Sequence, residues 1–174
     1  MVSSKFRIAV LTAAAFPMIL SIAWASQTPV ALTRAKPIVQ SARTAKFGQL
    51  PVLPSCQHFA VDRGDPRTGP FQVIIKMKAG CSIPWHWHSA EEEVMIVSGT
   101  VKSDIEHLHS RLLHPGGYFL LPARHPHRVT CETACVFFDA SPGKFDIHYI
   151  NGSGKEIPVA QALKAVSEKP GTPQ

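Results

Sequence analysis

The sequence predicts an all-β domain, built as a closed or doubled antiparallel sheet with at most one short helix near the C-terminus. The 174 residues include 15 prolines and 11 glycines, which favour many turns over long helices. Short segments of alternating apolar and polar residues lie between these turns at even spacing, as in antiparallel barrels. A hydrophobic content of 45% is ordinary for a globular protein and argues against disorder across the whole chain.

The N-terminus has the pattern of a secretory signal peptide. Lys5 and Arg7 precede an apolar run, and residues 23–25 (Ala-Trp-Ala) supply a small-x-small cleavage pattern. We therefore expect residues 1–25 to be removed by Sec-type export, and the mature protein to be periplasmic or secreted without a stable membrane anchor. The alternative is an uncleaved anchor, but the apolar run is interrupted by Pro17 and is short for a span of about 20 residues.

Three further regions follow the leader. Residues 26–50 are rich in Pro, Thr, Ala and Gln and contain no acidic residue, which predicts a flexible arm or an edge strand added late. The barrel is expected over residues 51–150. In the C-terminal tail, residues 151–174, the segment 158–168 could form one amphipathic helix because apolar residues recur there at helical spacing.

Alternation is clearest in the segment 71–77, where Phe71, Val73, Ile75 and Met77 should share one buried face. Other short strands are predicted between turns rich in Gly, Pro and Ser. They lie at residues 82–88, 93–97, 101–105, 118–121, 136–139 and 145–150.

Three histidines and one glutamate have the spacing of a metal site. If residues 82–88 form a strand, His86 and His88 point to the same side, because side chains alternate with a period of two. Glu92 follows a short polar bend, and a returning strand can bring its carboxylate back to the same point. His127 follows a Pro-rich turn and would arrive from a neighbouring strand. Imidazoles with one carboxylate suit Fe, Mn, Ni, Cu or Zn, so these four residues are predicted to bind a divalent transition metal.

Other acidic residues and histidines leave alternatives open. Glu91 and Glu93 flank Glu92, and either could replace it as a ligand or act as an acid or base. His107 and His109 form a second pair at the same spacing, but they lack a nearby carboxylate in register and lie in a loop-like stretch. Three further histidines are interpreted as surface groups or as groups around the site: His58, His114 and His148.

The motif around these residues resembles a known family. Gly80-(x5)-His86-x-His88-(x3)-Glu92-(x6)-Gly99 is similar to the first conserved motif of the cupin superfamily in residue types and spacing. The second motif is similar to Gly116-(x5)-Pro122-x-Arg124-(x2)-His127-(x3)-Cys131. Arg124 stands where the family has Gly and Cys131 where it has Asn, which leaves the ligand set intact and puts the shape of the turn in doubt.

The resemblance covers roughly residues 50–150 and implies a single-domain antiparallel β-barrel of the jelly-roll type, as in small exported bacterial cupins. It also implies a choice of chemistries, including dioxygenases, isomerases, decarboxylases and non-enzymatic binding proteins. We expect a metal-dependent enzyme on a small organic substrate, with dioxygenase-like oxidoreductase chemistry slightly favoured and Met95, Phe119 and Phe137 lining a dry pocket. The alternatives are a non-catalytic metal or small-molecule binding module of the cell envelope, and a degenerate scaffold without metal. Pairing of two copies as a homodimer is expected by analogy.

Four cysteines remain after the leader, and an even number in an oxidising compartment favours disulfides. Cys131 and Cys135 flank three residues that could form a hairpin turn, which would leave Cys56 to pair with Cys81. The alternative is a thiolate ligand near the metal, from Cys81 or Cys131.

The charge pattern gives no sign of a nucleic-acid partner. The chain contains no run of five or more Lys and Arg residues, and no interleaving of aromatic and basic residues. These are the features of nucleic-acid grooves, so nucleic acid is not expected as a partner and a small molecule is.

Overall fold

Two five-stranded antiparallel sheets make up the fold in the computed structural model, which describes residues 36–167. The strand order is β1-β2-β9-β4-β7 in the first sheet and β10-β3-β8-β5-β6 in the second. This is the predicted all-β jelly roll. The elements are β1 (Gln57–Gly64), β2 (Phe71–Met77), β3 (Ser82–Trp87), β4 (Glu92–Ser98), β5 (Val101–Ile105), β6 (Arg111–Leu113), β7 (Tyr118–Leu121), β8 (His127–Cys131), β9 (Cys135–Ser141), β10 (His148–Tyr149) and α1 (Val159–Ser167).

Strand alternation sets the core between the sheets. Phe71, Val73, Ile75 and Met77 of β2 are all buried, as predicted, and they pack with inward side chains from both sheets. Tyr149 of β10 is among the largest fully buried side chains, and its hydroxyl donates to the carbonyl oxygen of Val52 at 2.8 Å. The core therefore fills the space between the sheets and extends to the segment before β1.

The outer face of the first sheet corrects one prediction. Met95 was expected to line the pocket, but it is 49% exposed, because β4 turns Glu92, Val94 and Ile96 inward and the intervening residues outward. Further apolar side chains on β4 and β7 are exposed on the same face. Pairing of two copies through such a face stays a prediction.

Both predicted disulfides are present, Cys56–Cys81 and Cys131–Cys135, each with a Cα–Cα distance of 5.8 Å. The hairpin argument for the second pair is wrong, because β8 and β9 belong to different sheets and do not pair with each other. Each bridge instead joins an end of the first sheet to an end of the second. No cysteine of the described residues is free, so the alternative of a thiolate ligand is wrong as well.

The chain ends lie partly outside this description. The predicted signal peptide, residues 1–25, falls outside the described residues. Of the segment 26–50, the described part begins at residue 36, and Gly48 forms an isolated bridge with Phe59 of β1. α1 begins after Pro158, as predicted, since proline at a helix start lacks only an amide hydrogen that has no partner there. Between residues 36 and 167, no helix combines the length and apolar character that a membrane crossing requires.

Arg124 keeps the turn that the resemblance put in doubt. It adopts a φ of +63°, in the left-handed region that favours glycine. Its amide donates to the carbonyl oxygen of His88 at 2.8 Å, and its guanidinium lies 4.9 Å from the centre of the Trp87 ring. The turn shape is therefore kept at a conformational cost of about 1–2 kcal/mol, and the cation–π contact offsets part of it.

We expect Arg124→Gly to be more stable than Arg124→Ala by about 1 kcal/mol, although glycine is usually the more destabilising residue. Both variants lose the contact with Trp87, but only alanine keeps the left-handed strain. Urea unfolding of the two variants measures the difference. Equal stability, or a more stable alanine variant, would show that the turn does not impose this conformation.

Candidate metal centre

Three strands and one loop deliver the four predicted ligands to one place. His86 on β3 lies opposite His127 at the start of β8, and their ring centroids are 4.1 Å apart. His88 follows the end of β3, and Glu92 begins β4 of the other sheet. The two sheets therefore face each other across this group, with three imidazoles from one sheet and the carboxylate from the other.

The distances suit a single ion. Ligand nitrogens of the three histidines all lie within 4.8 Å of one another. Glu92 Oε2 is 3.0 Å from His127 Nε2, and Glu92 Oε1 is 3.6 Å from His88 Nε2. Ligands about 2.1 Å from one ion at right angles lie about 3 Å apart, so these spacings fit a coordination shell.

Backbone carbonyls fix which nitrogen of each ring carries the hydrogen. His86 Nδ1 lies 2.6 Å from the carbonyl oxygen of Pro84, and His127 Nδ1 lies 3.0 Å from that of His125. His88 Nδ1 has the same relation to the carbonyl oxygen of Asp146. A carbonyl only accepts, so each Nδ1 must donate. In the neutral ring Nε2 then has a lone pair, which is what a metal requires.

Burial keeps two of these rings neutral. It lowers the pKa of His86 well below its usual value, and His127 and His88 nearby lower it further. Burial also lowers the pKa of His88. For Glu92, burial raises the pKa, but His88 and His127 outweigh it and hold the value at about 2. At neutral pH Glu92 is thus a carboxylate, and the rings of His86 and His88 are neutral.

One pair of atoms tests whether a cation fits. Glu92 Oε2 and His127 Nε2 are buried, lack a hydrogen-bond partner, and lie 3.0 Å apart. With the hydrogen on Nδ1, both atoms are acceptors, and two facing acceptors repel unless a positive charge lies beside both. The donor set therefore fits a divalent cation. No ion is part of this structure.

A cavity of about 50 Å³ adjoins the four residues. Most of its lining is apolar and comes from both sheets, including Phe71, Val73, Ile75 and the predicted Phe137. Phe119 is buried in the core but does not line it. Since one water needs about 10–15 Å³ by this measure, the space admits a few atoms beside an ion.

Two buried polar residues in this cavity were missed from the sequence. Asp139 of β9 is 6% exposed and Gln57 of β1 is 3% exposed, and each has a side-chain oxygen without a partner. Burial raises the pKa of Asp139 well above its usual value, and the charge of Glu92 raises it further. A signal for Asp139 exists, because it follows Cys135 and Phe137 at the inward positions of one strand.

The competing candidates point away from the centre. Glu91 and Glu93 are exposed, and Glu93 accepts a hydrogen bond from the hydroxyl of Tyr118 at 3.0 Å, so neither can replace Glu92 as the carboxylate of this group. His107 and His109 are exposed on a loop, as expected. His148 stacks on Trp87 at 3.8 Å, beside the site and outside the cavity lining.

Comparison with known proteins agrees with this fold. Residues 73–141 match the family model described as Cupin domain. No curated protein matches the chain at a significant level.

Three similar solved structures are the polyketide cyclase RemF from Streptomyces resistomycificus, a putative acetylacetone dioxygenase from Methylibium petroleiphilum and an RmlC-like cupin from Shewanella frigidimarina. RemF is 15% identical with a TM-score of 0.58, over 74% of this chain and 99% of its own. The putative dioxygenase is 16% identical with a TM-score of 0.55, over 72% of this chain and 89% of its own. The RmlC-like cupin is 16% identical with a TM-score of 0.53, over 62% of this chain and 92% of its own. Identities this low show the fold alone.

The matched segment spans β2 to β9 and contains all four residues of the candidate metal centre. The jelly-roll topology and the similar solved structures agree with that match. Residues 73–141 of this chain therefore form a cupin domain.

Proposed function

We propose that this protein is an exported metal-dependent enzyme that acts on a small organic molecule, with a divalent transition metal held by His86, His88, Glu92 and His127. The observation that carries the proposal is the arrangement of the three imidazoles. Each ring has its Nδ1 committed to a backbone carbonyl, which directs an Nε2 lone pair to one point beside a carboxylate.

A metal in this position supplies Lewis-acid polarisation of a bound oxygen or, if it is iron or copper, a route to dioxygen chemistry. The chain's own residues orient and shelter the reacting molecule. Phe71, Val73, Ile75 and Phe137 exclude water from the space next to the ligands, which strengthens polar interactions there. Oxidoreductase chemistry is favoured because a similar structure is a putative dioxygenase, at a level of likeness that shows only the fold.

Metal content tests the proposal. Protein recovered from the periplasm, with its start at Ser26 checked by intact mass, is expected to contain about one equivalent of Fe, Mn, Ni, Cu or Zn by elemental mass spectrometry. The His86→Ala/His88→Ala variant should lose that metal, because two of the four ligands are gone. A matched control is His107→Ala/His109→Ala, which removes the exposed pair of the same spacing and should keep the metal.

Metal that persists in the first variant, or that disappears in the control, would place the ion elsewhere. A wild-type protein that stays metal-free after reconstitution would remove the enzyme proposal and leave the non-catalytic binding module and the degenerate scaffold. Iron or copper would point to dioxygen chemistry, whereas zinc would point away from it.

A further inference from the structure

The cavity presents acceptors whose partners are missing. Among the described residues, four buried side-chain atoms without a hydrogen-bond partner line it: Gln57 Oε1, Glu92 Oε2, His127 Nε2 and Asp139 Oδ1. All four accept hydrogen bonds, since His127 Nε2 has no hydrogen in the tautomer described above. A cation accounts for the Glu92 and His127 atoms. The oxygens of Asp139 and Gln57 remain to be explained.

A buried acceptor without a partner costs about 1–3 kcal/mol, and the cavity supplies no donor that removes this cost. No lysine or arginine within residues 36–167 lines it, and its walls are otherwise mostly apolar. Water can donate to these oxygens when the site is free. A molecule that displaces the water must bring its own donors, or it loses those hydrogen bonds.

Asp139 is the better placed of the two for a contact beside the metal centre. It pairs with Val94 of β4, two residues after Glu92 and on the same inward face. A small recess that joins it to the ligand group is lined by residues that include His88, Glu92, Asp139, Lys144 and Phe145. Gln57 lies at the start of β1, on the other side of β2, and so faces a more distant part of the cavity.

We propose that Asp139 accepts a hydrogen bond from a hydroxyl group of the molecule bound at the metal centre, and that this molecule is a small 2-hydroxy acid or α-hydroxyketone. The inference rests on the proposed function and names the ligand class for the same site. One oxygen of such a molecule binds the metal and the neighbouring O–H reaches Asp139 Oδ1. The carboxyl group of Asp139 keeps at least one acceptor oxygen whether or not it carries a proton.

The alternatives to a hydroxyl fit less well. An ammonium donor would lie next to a divalent ion whose charge the single carboxylate of Glu92 only half neutralises. In the main cavity, a second carboxylate on the ligand would find no lysine or arginine, because Lys144 lines only the adjoining recess. A volume of about 50 Å³ limits the molecule to a few heavy atoms beside the ion. Glycolate meets these conditions, and acetate is the same acid without the hydroxyl group.

Binding of glycolate and acetate to the Co²⁺-loaded protein tests the inference by visible absorption, without any turnover. The ratio of the two dissociation constants is compared between the wild type and Asp139→Leu. We expect the preference for glycolate to fall about tenfold in Asp139→Leu, the value of one hydrogen bond to a buried carboxyl group. Steric effects of leucine act on both acids and cancel in the ratio. Asp139→Asn keeps an acceptor oxygen and should keep most of the preference.

Ser103→Ala is the matched control, because the Ser103 hydroxyl is also buried without a partner but does not line the cavity. Its glycolate preference should equal that of the wild type. An unchanged ratio in Asp139→Leu, or no binding of either acid to a protein that holds Co²⁺, would overturn the inference while leaving the metal site intact. Failure to take up stoichiometric Co²⁺ would instead count against the proposed function and overturn both.

Discussion

Replacing Cys56 and Cys81 together by alanine is expected to lower the free energy of unfolding by about 3.5 kcal/mol. The two cysteines are 25 residues apart in sequence, and a bridge across a loop of that length restricts the unfolded chain by about this amount. The bridge also joins the segment before β1 to the segment before β3, which belong to different sheets. Thermal unfolding should show a loss of about 10 °C, measured on the oxidised wild type and the variant.

The second bridge provides the comparison. Cys131 and Cys135 are only 4 residues apart, so the same argument gives about 2 kcal/mol for their double alanine variant. Cys131 and Cys135 are both buried, whereas Cys56 is half-buried, so loss of packing would if anything favour a larger effect for the short bridge. If the short bridge proved the more costly to lose, loop length would not govern the stabilisation here.

The carboxyl group of Asp139 is expected to destabilise the metal-free protein at neutral pH, so Asp139→Asn should raise its free energy of unfolding by about 1–3 kcal/mol. Burial raises the pKa of this group well above that of an ordinary aspartate. The contribution of Asp139 to the free energy of unfolding is then fully present below the unfolded pKa of about 4. It is lost as the pH rises through the folded pKa. The gain from asparagine should therefore grow from pH 4 to pH 7, as measured by urea unfolding after chelation.

Asp104 is a matched control of opposite sign. It is also largely buried, but hydrogen bonds from Ser110 and Arg128 outweigh the effect of burial and lower its pKa. The contribution of Asp104 to the free energy of unfolding is present above the unfolded pKa and is lost as the pH falls through the folded pKa. Asp104→Asn should therefore destabilise the protein at pH 7. If Asp139→Asn instead lowered stability at pH 7, the carboxyl group would have a partner that the structure does not show.

Strands were predictable where one face is buried without interruption. β2, β5 and β7 have the predicted bounds, and α1 begins within one residue of its prediction. β1 was missed because a bulge between Val61 and Arg63 shifts the alternation. β6 was missed because its three residues, at the edge of a sheet, bury almost nothing. The predicted strand at 145–150 is reduced to two residues, since only His148 and Tyr149 pair with β3.

The residues of the candidate site were also predictable only in part. The four proposed ligands could be found because they lie close together in two motifs, and the structure brings them together. Asp139 and Gln57 come from strands that contribute no motif, and their relevance depends on which sheets face each other. Met95 was assigned to the pocket because apolar character alone does not tell which face of β4 is inward. The inward face was fixed by Glu92 in the same strand.

Both disulfides link the first sheet to the second at the same end of the second sheet. Cys81 precedes β3 and Cys131 ends β8, and the two are linked by backbone hydrogen bonds, so both bridges meet at one end of the second sheet. His86 lies five residues along β3 from Cys81, about 16 Å away in an extended strand. The two bridges therefore tie the sheets together at this end, and no disulfide of the described residues ties them at the opposite end. The imidazoles and the carboxylate face each other away from the bridges, and we expect local separation of the sheets there to admit an ion or a small molecule.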